Sequence, residues 1–204
     1  GLARTVVLRS GEKLSGDIFV NAAGAWGPDI CAMVGMKVPV KPLSRNTFYF
    51  EIRGEVETMT ITKDPGGVGF RQEGAGFTSG LTDTDVPFGF DWEVDHSQFE
   101  KRFWPVLAHR VPAFEALQVK RAWSGHYAYN YMDGNTIIGK WIGGLDNFYV
   151  ATGFTGAGLQ KGPAIGRAMA ELILDGRFQT IDLTRMSYQR VIDEKPLFEI
   201  GFTA

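Results

Sequence analysis

Apolar and polar residues follow three patterns along the chain, and the first covers residues 1–37. TVVLRSG and GEKLSGDIFV predict two short strands joined by a turn, because β-branched and apolar residues lead into and out of a glycine. NAAGAWGPDICAMVGM then predicts a small-residue loop followed by a helix that stops at Gly35. The apolar stripe of this helix would be Ile30, Met33 and Val34. A strand, a loop and a helix in this order make half of a βα unit.

The second pattern, residues 38–144, is typical of an antiparallel sheet with hairpins. Aromatic and β-branched residues alternate with polar ones between turns such as Asp64–Gly67 and Met132–Asn135, where glycine supplies positive φ. Between these turns, HSQFEKRFWPVLAHRVPAFEAL predicts a helix that is kinked or reset at Pro105 and ends at Pro112. The apolar face of this helix would contain Phe99, Phe103, Val106 and Leu107.

The third pattern, residues 145–204, returns to βα character. NFYVATGF predicts a buried strand, GAGLQKG a glycine loop and PAIGRAMAELILDGRF a helix with Pro163 in its first turn and Gly176 just past its end. We therefore predict an α/β (α+β) fold in which an antiparallel sheet domain, 38–144, interrupts a domain formed by 1–37 and 145–204.

Composition and charge narrow the classes of function. The 204 residues are 44% hydrophobic and 22% charged with a net charge of −2, which is typical of a soluble globular protein. No Lys/Arg run is present, so we expect neither nucleic acid nor an anionic membrane as a partner. No apolar stretch approaches the roughly 18 residues of a membrane span, and the N-terminal residues lack the apolar core of a secretion signal.

Cysteine and histidine usage argues against disulfides and metal sites. Cys31 is the only cysteine, so neither an internal disulfide nor a multi-cysteine metal site can form, and a reducing compartment fits. His96 and His109 lie on the predicted helix at a spacing that matches no metal site. We predict no metal.

The strongest local signal is YVATGFTGAGLQKGPAIG, residues 149–166, which places five glycines between a predicted strand and a predicted helix. Residues without Cβ let backbone N–H groups converge on a ligand, and the helix N-terminus behind them carries about half a positive charge. Such a site favours a phosphate, a carboxylate or a delocalised anion, although close packing of helix on strand needs small residues equally. The five are Gly153, Gly156, Gly158, Gly162 and Gly166.

VNAAGAWGPD is the second signal. The small residues Ala22, Ala23 and Gly24 let the backbone pass close to a flat or phosphorylated group. The ring of Trp26 could form one side of that binding site. A simple strand-to-helix turn would explain the same residues.

A nicotinamide dinucleotide site is disfavoured. Gly156-x-Gly158-x-x-x-Gly162 misses the spacing Gly-x-Gly-x-x-Gly, although Asp182 lies about where a ribose-binding acid would. The further βα units that such a fold needs do not follow either.

The middle of the chain offers weaker candidates. Arg71 and Glu73 would point to the same side of a strand, as an ion pair or as a substrate clamp. Ser124 lacks the Gly-x-Ser-x-Gly turn of a hydrolase nucleophile. Four further residues could line a pocket or form an aromatic strand face of the core: His126, Tyr127, Tyr129 and Tyr131.

Taken together, these stretches resemble the C-terminal half of the D-amino-acid oxidase/sarcosine oxidase superfamily of FAD-dependent oxidoreductases. VNAAGAW looks like its strand–loop near the dinucleotide part of FAD, and WSGHYAYNYMDGNTIIG looks like its G-x-x-x-x-T-P-D-G-x-P-x-I-G hairpin. ATGFTGAGLQKGPAIGRAMAELI looks like its G-F-S-G-H-G loop and final helix. The resemblance covers essentially the whole chain. GRFQTIDL and residues 93–130 look most like one group of this superfamily, whose animal member is a mitochondrial protein tied to respiratory complex I assembly.

The resemblance implies non-covalent FAD and oxidation of the C–N bond of a small-molecule amine or amino acid of the sarcosine, glycine or D-amino-acid type. Backbone N–H groups of Thr155 to Leu159 would stabilise negative charge on the flavin. Arg71, Tyr127 and Tyr129 would contact substrate, and no catalytic residue is assigned. The flavin would be bound by Ala23, Gly24, Trp26, Gly125, His126, Gly153, Phe154, Thr155, Gly156, Ala157, Gly158, Leu159 and Gln160.

Family members begin with a Rossmann unit carrying Gly-x-Gly-x-x-Gly, which this sequence lacks. The resemblance therefore implies a C-terminal fragment that is inactive and holds FAD poorly alone, and whose front half is either truncated or supplied by another subunit. Its expected partners are the missing N-terminal FAD-binding half and a second copy, in a homodimer through an exposed edge. The expected location is cytoplasmic in a bacterium and mitochondrial in a eukaryote.

Three departures from the family pattern bear on activity. His126 stands where monomeric sarcosine oxidases have the cysteine that tethers flavin, Gln160 replaces a lysine that helps bind substrate and activate oxygen, and Ala157 replaces a histidine. These departures favour a dehydrogenase. They also keep open an alternative, a non-catalytic assembly or interaction factor that retains the flavoprotein fold.

Overall fold

A computed structural model describes residues 1–54, 56–81, 83 and 85–199. The chain forms two compact units, one made of Gly1–Pro42 with the described residues from Tyr127 onward, the other of Leu43–His126. Mixed helices and antiparallel sheets confirm the predicted α+β class. The domain boundaries expected after residues 37 and 144 stay a prediction.

The described residues form ten strands and four α-helices, with several strands following one another directly. The strands are β1 (Thr5–Val7), β2 (Lys13–Ser15), β3 (Phe19–Asn21), β4 (Val40–Glu51), β5 (Thr62–Lys63), β6 (Val68–Glu73), β7 (Gly76–Leu81), β8 (Gln118–Asn130), β9 (Ile137–Lys140) and β10 (Phe148–Thr152). The α-helices are α1 (Gly27–Met33), α2 (Trp104–Arg110), α3 (Gly158–Asp175) and α4 (Gln189–Ile192). A π-helical turn spans Phe99–Phe103, and 3₁₀ turns span Gly24–Trp26, Pro112–Ala116 and Thr184–Met186.

The first unit is built on a three-stranded sheet of order β3–β10–β9. β10 runs parallel to β3, with Val150 opposite Asn21, and antiparallel to β9. Because β3 and β10 are parallel, their carboxyl ends meet at one edge of the sheet, where ligands bind in open α/β sheets. Two buried clusters fill this unit: Cys31, Met36, Val40, Ala128, Ile137, Phe148, Val150 and Tyr188, and separately Ile138, Ala151, Ile165 and Met169.

Both helices of the predicted βα units exist, but their details differ from the prediction. α3 begins at Gly158 rather than at Pro163, so most of the predicted glycine loop forms the first turn of the helix. Glycine adopts helical angles as readily as turn angles, and intrinsic propensity is a weak guide to where a helix starts. Its predicted end is confirmed, because Gly176 has a left-handed φ of 72°.

The predicted stripe of α1 was partly wrong. Met33 is 78% exposed, and the buried positions are Gly27 and Cys31, one helical turn apart. Ile30 and Val34 are half-buried against the same cluster. The helix begins at Gly27, and that starting point determines which face meets the sheet.

The second unit contains a sheet of order β5–β6–β7–β4–β8, and the pairs β5–β6, β6–β7 and β4–β7 are antiparallel. The Asp64–Gly67 turn joins β5 to β6 as predicted. The predicted helix is three pieces, because Pro105 lies in the first turn of α2 and Pro112 opens the following 3₁₀ turn. A phenylalanine-rich core is built from sheet and helices, as expected for an alternating pattern: Phe48, Phe50, Phe70, Phe77, Phe99, Phe103 and Phe114. No helix in the described part of the chain is long and apolar enough to cross a membrane.

Candidate functional site

The two strongest sequence signals lie at the same place in the first unit, the carboxyl edge shared by β3 and β10. One is the β3–α1 loop, Ala22–Trp26. The other is the segment Gly153–Ala157, which leads into α3 and is called the glycine loop from here on. Parallel pairing of the two strands brings both loops to this edge.

Asn21, at the end of β3, holds the β3–α1 loop in place. Its Nδ2 donates to the Gly27 carbonyl at 2.8 Å and to Cys31 Sγ at 3.2 Å, and its Oδ1 accepts the Ala23 N–H at 3.2 Å. Burial raises the pKa of the Cys31 thiol, and the bond from Asn21 only partly offsets this, so the thiol stays neutral. Asn21 therefore joins strand, loop and helix through a buried, uncharged contact.

Close packing at the start of α1 leaves the loop before it open. A Cβ atom on Gly27 would lie 2.9 Å from Thr152 Oγ1, so the helix start rests directly on β10. Gly24, with φ of 57°, has no atom within 4 Å of its Cβ position, and Ala23 is exposed. Trp26 is 51% exposed. The β3–α1 loop therefore exposes small residues and the indole ring of Trp26 to solvent.

The glycine loop is held by β8 through a strained residue. Thr155 has φ of 49°, a left-handed conformation that a β-branched residue rarely adopts and that costs on the order of 1–3 kcal/mol. Its N–H donates to the Ala128 carbonyl at 3.0 Å, and its Oγ1 accepts the Asn130 N–H at 3.1 Å. Thr155 is 1% exposed, so its side chain fixes the loop from inside.

Glycine is required on either side of Thr155. Gly153 has φ of 69°, and its Cβ would lie 3.1 Å from Asn130 Cβ and from Val40 Cγ2. Gly156 has φ of 89°, and its Cβ would lie 2.6 Å from the ring of Tyr127. Tyr127, expected to contact substrate, therefore packs directly on the glycine loop.

The loop presents fewer N–H donors to a ligand than the sequence predicted. Those of Thr155 and Ala157 are used internally, by the carbonyls of Ala128 at 3.0 Å and of Phe154 at 2.9 Å. The expectation that all N–H groups from Thr155 to Leu159 face the ligand is therefore corrected. The remaining donors at this position are the backbone N–H groups of Gly156, Gly158 and Leu159.

The start of α3 favours negative charge. The first turn contains no acidic residue, and its N-cap, Ala157, has no side chain that could accept a hydrogen bond. Leu159 is 87% exposed, and Gln160 is exposed beside it. Free N–H groups and the positive end of the helix dipole would stabilise an anion or an electron-rich ring edge. The small residues Ala23 and Gly24 lie at the same carboxyl edge of the sheet. Together, these two features suit a flat ligand that gains negative charge.

Gly125 and His126 belong to the second unit, whereas the other predicted flavin-binding residues belong to the first. His126 Nε2 accepts the Asp91 N–H at 2.8 Å, so the proton of a neutral imidazole lies on Nδ1. The rings of Phe90 and Trp92 lie 5.0 and 4.3 Å from the imidazole. His126 is therefore fixed in one orientation by a loop.

Arg71 and Glu73 form the predicted ion pair on one side of β6, with 3.0 Å between Nη2 and the carboxylate. Arg71 Nε also donates to Thr78 Oγ1 at 3.3 Å. Both charged side chains are more than half exposed. They line a groove of about 630 Å³ with Tyr49, Glu51, Thr78, Lys120, Arg121 and Trp123.

Tyr129 is half-buried in the first unit, and Tyr131 is exposed with Lys41 Nζ 5.3 Å from the centre of its ring. Over the residues with described positions, no group of three or more His, Cys, Asp or Glu side chains is arranged to hold a metal ion.

Asn21 and Asn130 were missed by the sequence analysis. Each is a buried asparagine at the last position of a strand that precedes a turn, and this is the signal that could have found them. A polar residue that ends an apolar strand without reaching solvent needs internal partners, and here the partners are the loops of the candidate site.

Comparison with known proteins gives one consistent result. The family model described as FAD dependent oxidoreductase matches residues 1–172. The FAD-dependent oxidoreductase domain-containing protein 1 of Xenopus laevis is 39% identical over an alignment that covers 92% of this chain and 41% of that protein. Human mitochondrial sarcosine dehydrogenase is 25% identical over an alignment that covers 78% of this chain and 18% of that protein.

Among solved structures, L-proline dehydrogenase from P. horikoshii superposes with a TM-score of 0.82 at 24% identity. The match covers 97% of this chain and 55% of that one, and it establishes a shared fold. The chain thus spans less than half the length of the Xenopus relative and about half of the proline dehydrogenase chain.

Proposed function

Because the chain belongs to the FAD-dependent oxidoreductase family, we propose that it supplies the flavin-contacting and substrate-facing part of an enzyme that oxidises the C–N bond of an amine or amino acid. The observation that carries this proposal is the carboxyl edge of β3 and β10, where α3 starts without a side-chain cap and the backbone N–H groups of Gly156, Gly158 and Leu159 are not used by the described hydrogen bonds. The names of two similar proteins refer to sarcosine and to L-proline, and both compounds are secondary amines with a carboxylate.

The described residues fit the flavin part of FAD. When bound, FAD supplies the electron-accepting ring, on which negative charge grows as the substrate loses electrons. The N–H groups of Gly156, Gly158 and Leu159 would stabilise that charge, since they are already oriented by Thr155 and by the helix. The β3–α1 loop, with Gly24 open and Trp26 exposed, would lie along another part of the cofactor.

Substrate binding is proposed for Arg71, Tyr127 and Tyr129. Arg71 would hold a substrate carboxylate, which requires that the carboxylate replace Glu73 as its ion-pair partner. Gln160 is exposed at the start of α3 and brings no positive charge there. Reoxidation by an electron-acceptor protein, as in a dehydrogenase, is therefore favoured over rapid reaction with oxygen.

A second candidate is an assembly or interaction factor that keeps the flavoprotein fold without turnover. The specific support is Ala157 and Gln160, at the positions where the resembling oxidases carry a histidine and a lysine. The two candidates predict the same FAD binding and differ only in whether bound flavin is reduced by a substrate.

The experiment uses the full-length gene product loaded with FAD, under anaerobic conditions. Sarcosine, L-proline, glycine and D-amino acids are added in turn while the visible absorbance of the flavin is followed. Bleaching by at least one of them supports the oxidoreductase. Bound FAD that none of them bleaches, but that dithionite reduces normally, favours the assembly factor.

A further inference from the structure

We propose that the buried ion pair of Asp133 and Arg190 is a positioning device for the glycine loop and acts through Asn130. The pair lies in the first unit, where Asp133 is on the turn after β8 and Arg190 is on α4. Arg190 Nε donates to Asp133 Oδ2 at 2.9 Å, and Nη2 donates to Oδ1 at 3.3 Å. This inference rests on the proposed function, in which the glycine loop holds flavin.

Both members of the pair are removed from solvent. The Arg190 side chain is 5% exposed and that of Asp133 is 0% exposed. Burial alone would raise the pKa of Asp133, but the bonds from Arg190 and from the Leu197 and Asn135 N–H groups hold it below its ordinary value. The carboxylate is therefore ionised. Since a buried ion pair adds little net stability over apolar residues of equal size, its presence calls for another role.

Arg190 also holds the turn that carries Asp133. Its Nη1 donates to the Met186 carbonyl at 2.7 Å, and its Nη2 donates to the Asn135 carbonyl at 3.0 Å. Asp133 accepts the Asn135 N–H at 3.0 Å and the Leu197 N–H at 2.9 Å. The turn, α4 and the segment after it are thus held together by one guanidinium and one carboxylate.

Asn130 connects this pair to the glycine loop. Its Nδ2 donates to Asp133 Oδ1 at 2.7 Å and to the Asn135 carbonyl at 2.6 Å. On the other side, its N–H donates to Thr155 Oγ1, and its Cβ lies 3.1 Å from the Cβ position of Gly153. Asn130 is fully buried, so a displacement at Asp133 reaches the loop through a single residue.

The loop is sensitive to such a displacement because Thr155 is held in a conformation that it would otherwise leave. Residues in rarely populated backbone regions persist only where their surroundings over-determine them. Release of Thr155 would turn the neighbouring N–H of Gly156 away from its position, and small misplacements of catalytic groups lower rates steeply. The function of the ion pair is to prevent this release.

The test compares Arg190→Lys with the control Arg102→Lys in the full-length gene product. Arg102, whose side chain is 45% exposed, forms an ion pair with Asp83 in the second unit, so its replacement alters a guanidinium–carboxylate pair far from this network in sequence. We expect Arg190→Lys to speed hydrogen exchange of the Thr155 amide and to weaken FAD binding, each about tenfold. Arg102→Lys should do neither.

A rescue separates positioning from general stability. In the Arg190→Lys background, Thr155→Gly should restore FAD affinity to within about threefold, since glycine adopts positive φ without strain. The melting temperature should stay lowered. A lowered melting temperature with unchanged FAD affinity, or a failure of Thr155→Gly to rescue affinity, would overturn the proposal.

Two provisions keep the test decisive. If Arg190→Lys does not fold, Thr155→Val removes the hydrogen bond that Oγ1 accepts from the Asn130 N–H, together with the weaker one that it donates to the Gly153 carbonyl, and should give the same faster exchange at residue 155. If the unmodified protein binds no FAD, the proposed function fails, but hydrogen exchange still measures whether the pair controls the loop. Equal exchange at residue 155 in the variant and the unmodified protein would refute the inference in either case.

Discussion

At the scale of single residues, the candidate site depends on backbone conformations more than on charged side chains. Thr155 and Gly156 follow one another at φ of 49° and 89°, and together they turn the chain from β10 into α3. This turn decides which N–H groups face outward and which are used by β8. Predictions at this scale therefore concern single N–H groups and single Cβ atoms.

Leu159→Pro removes one outward N–H group from the start of α3. Proline is tolerated in the first turn of a helix, and Leu159 is 87% exposed, so the fold should persist. If this N–H stabilises charge on the reacting flavin, the rate of flavin reduction should fall by about 100-fold, as for loss of one donor in an oxyanion site. Stopped-flow absorbance measures this rate. Leu159→Ala keeps the N–H and should reduce flavin at the normal rate. Equal rates in the two variants would contradict the assignment.

Gly156→Ala introduces a Cβ atom that meets the Tyr127 ring at 2.6 Å. Gly143 is a matched control, because its φ of 82° is similar but its Cβ position is open. Both substitutions should lose about 1 kcal/mol for the left-handed backbone. Gly156→Ala should lose roughly 1–3 kcal/mol more, because overpacking must displace Tyr127. Urea unfolding measures both losses, and equal losses would show that Tyr127 does not pack on the loop.

At the scale of elements, strands and helices were predicted where the apolar pattern was strong. β10, α3 and the phenylalanine-rich sheet follow from alternation and helical spacing. The start of α3 could not be predicted in this way, because Gly158 and Gly162 are compatible with either a loop or a helix. Tertiary packing determines which of the two forms.

The polar network of the site could not be predicted from the sequence, for a different reason. Arg190 and Asp133 are 57 residues apart, and no local pattern connects them. Asn130 ends a strand rich in aromatic residues, and its structural role becomes evident only once its burial is known. Glycines marked the position of the site, but the residues that hold the glycines in place became visible only with the fold.

The end of α3 carries a pH-dependent contact. Glu171 accepts hydrogen bonds from the Gln179 and Thr180 N–H groups at 2.7 and 3.0 Å. The hydrogen bond from the Thr180 hydroxyl, followed by these two backbone bonds, lowers the pKa of Glu171 from 4.5 to about 2. Because the pKa is lower in the folded state, the stabilisation is complete above the ordinary pKa and is lost as pH falls towards 2.

Glu171→Gln should therefore be less stable than the unmodified protein at pH 6, and the difference should shrink by pH 3. Chemical unfolding at several pH values measures the difference. Asp175→Asn, an exposed substitution on the same helix, is the control for removal of a carboxylate from α3. A difference for Glu171→Gln that stays constant from pH 6 to pH 3 would contradict the hydrogen-bonded, ionised carboxylate.

At the scale of the whole molecule, the described chain carries the parallel pair β3–β10 and the loops at its carboxyl edge, whereas its relatives are much longer. The match covers 41% of the Xenopus relative and 55% of the proline dehydrogenase chain. In the proposed function, the N–H groups of Gly156, Gly158 and Leu159 contact the ring of FAD, but a dinucleotide also has two phosphates and an adenosine. Their binding needs more positive or N–H donors than this edge offers.

We therefore expect the 204-residue chain alone to bind FAD at least 100-fold more weakly than the full-length gene product, which is about 2.7 kcal/mol of binding free energy. Quenching of flavin fluorescence in titrations of the two proteins measures the ratio. Riboflavin, which lacks the phosphates and the adenosine, should bind the two with affinities that differ much less, because the ring contacts are those of the glycine loop and α3. A chain that retains micromolar FAD affinity would show that the loops at residues 22–26 and 153–157 bind the whole dinucleotide. If riboflavin affinity falls as steeply as FAD affinity, the ring contacts must lie elsewhere, and the assignment of Gly156, Gly158 and Leu159 would be wrong.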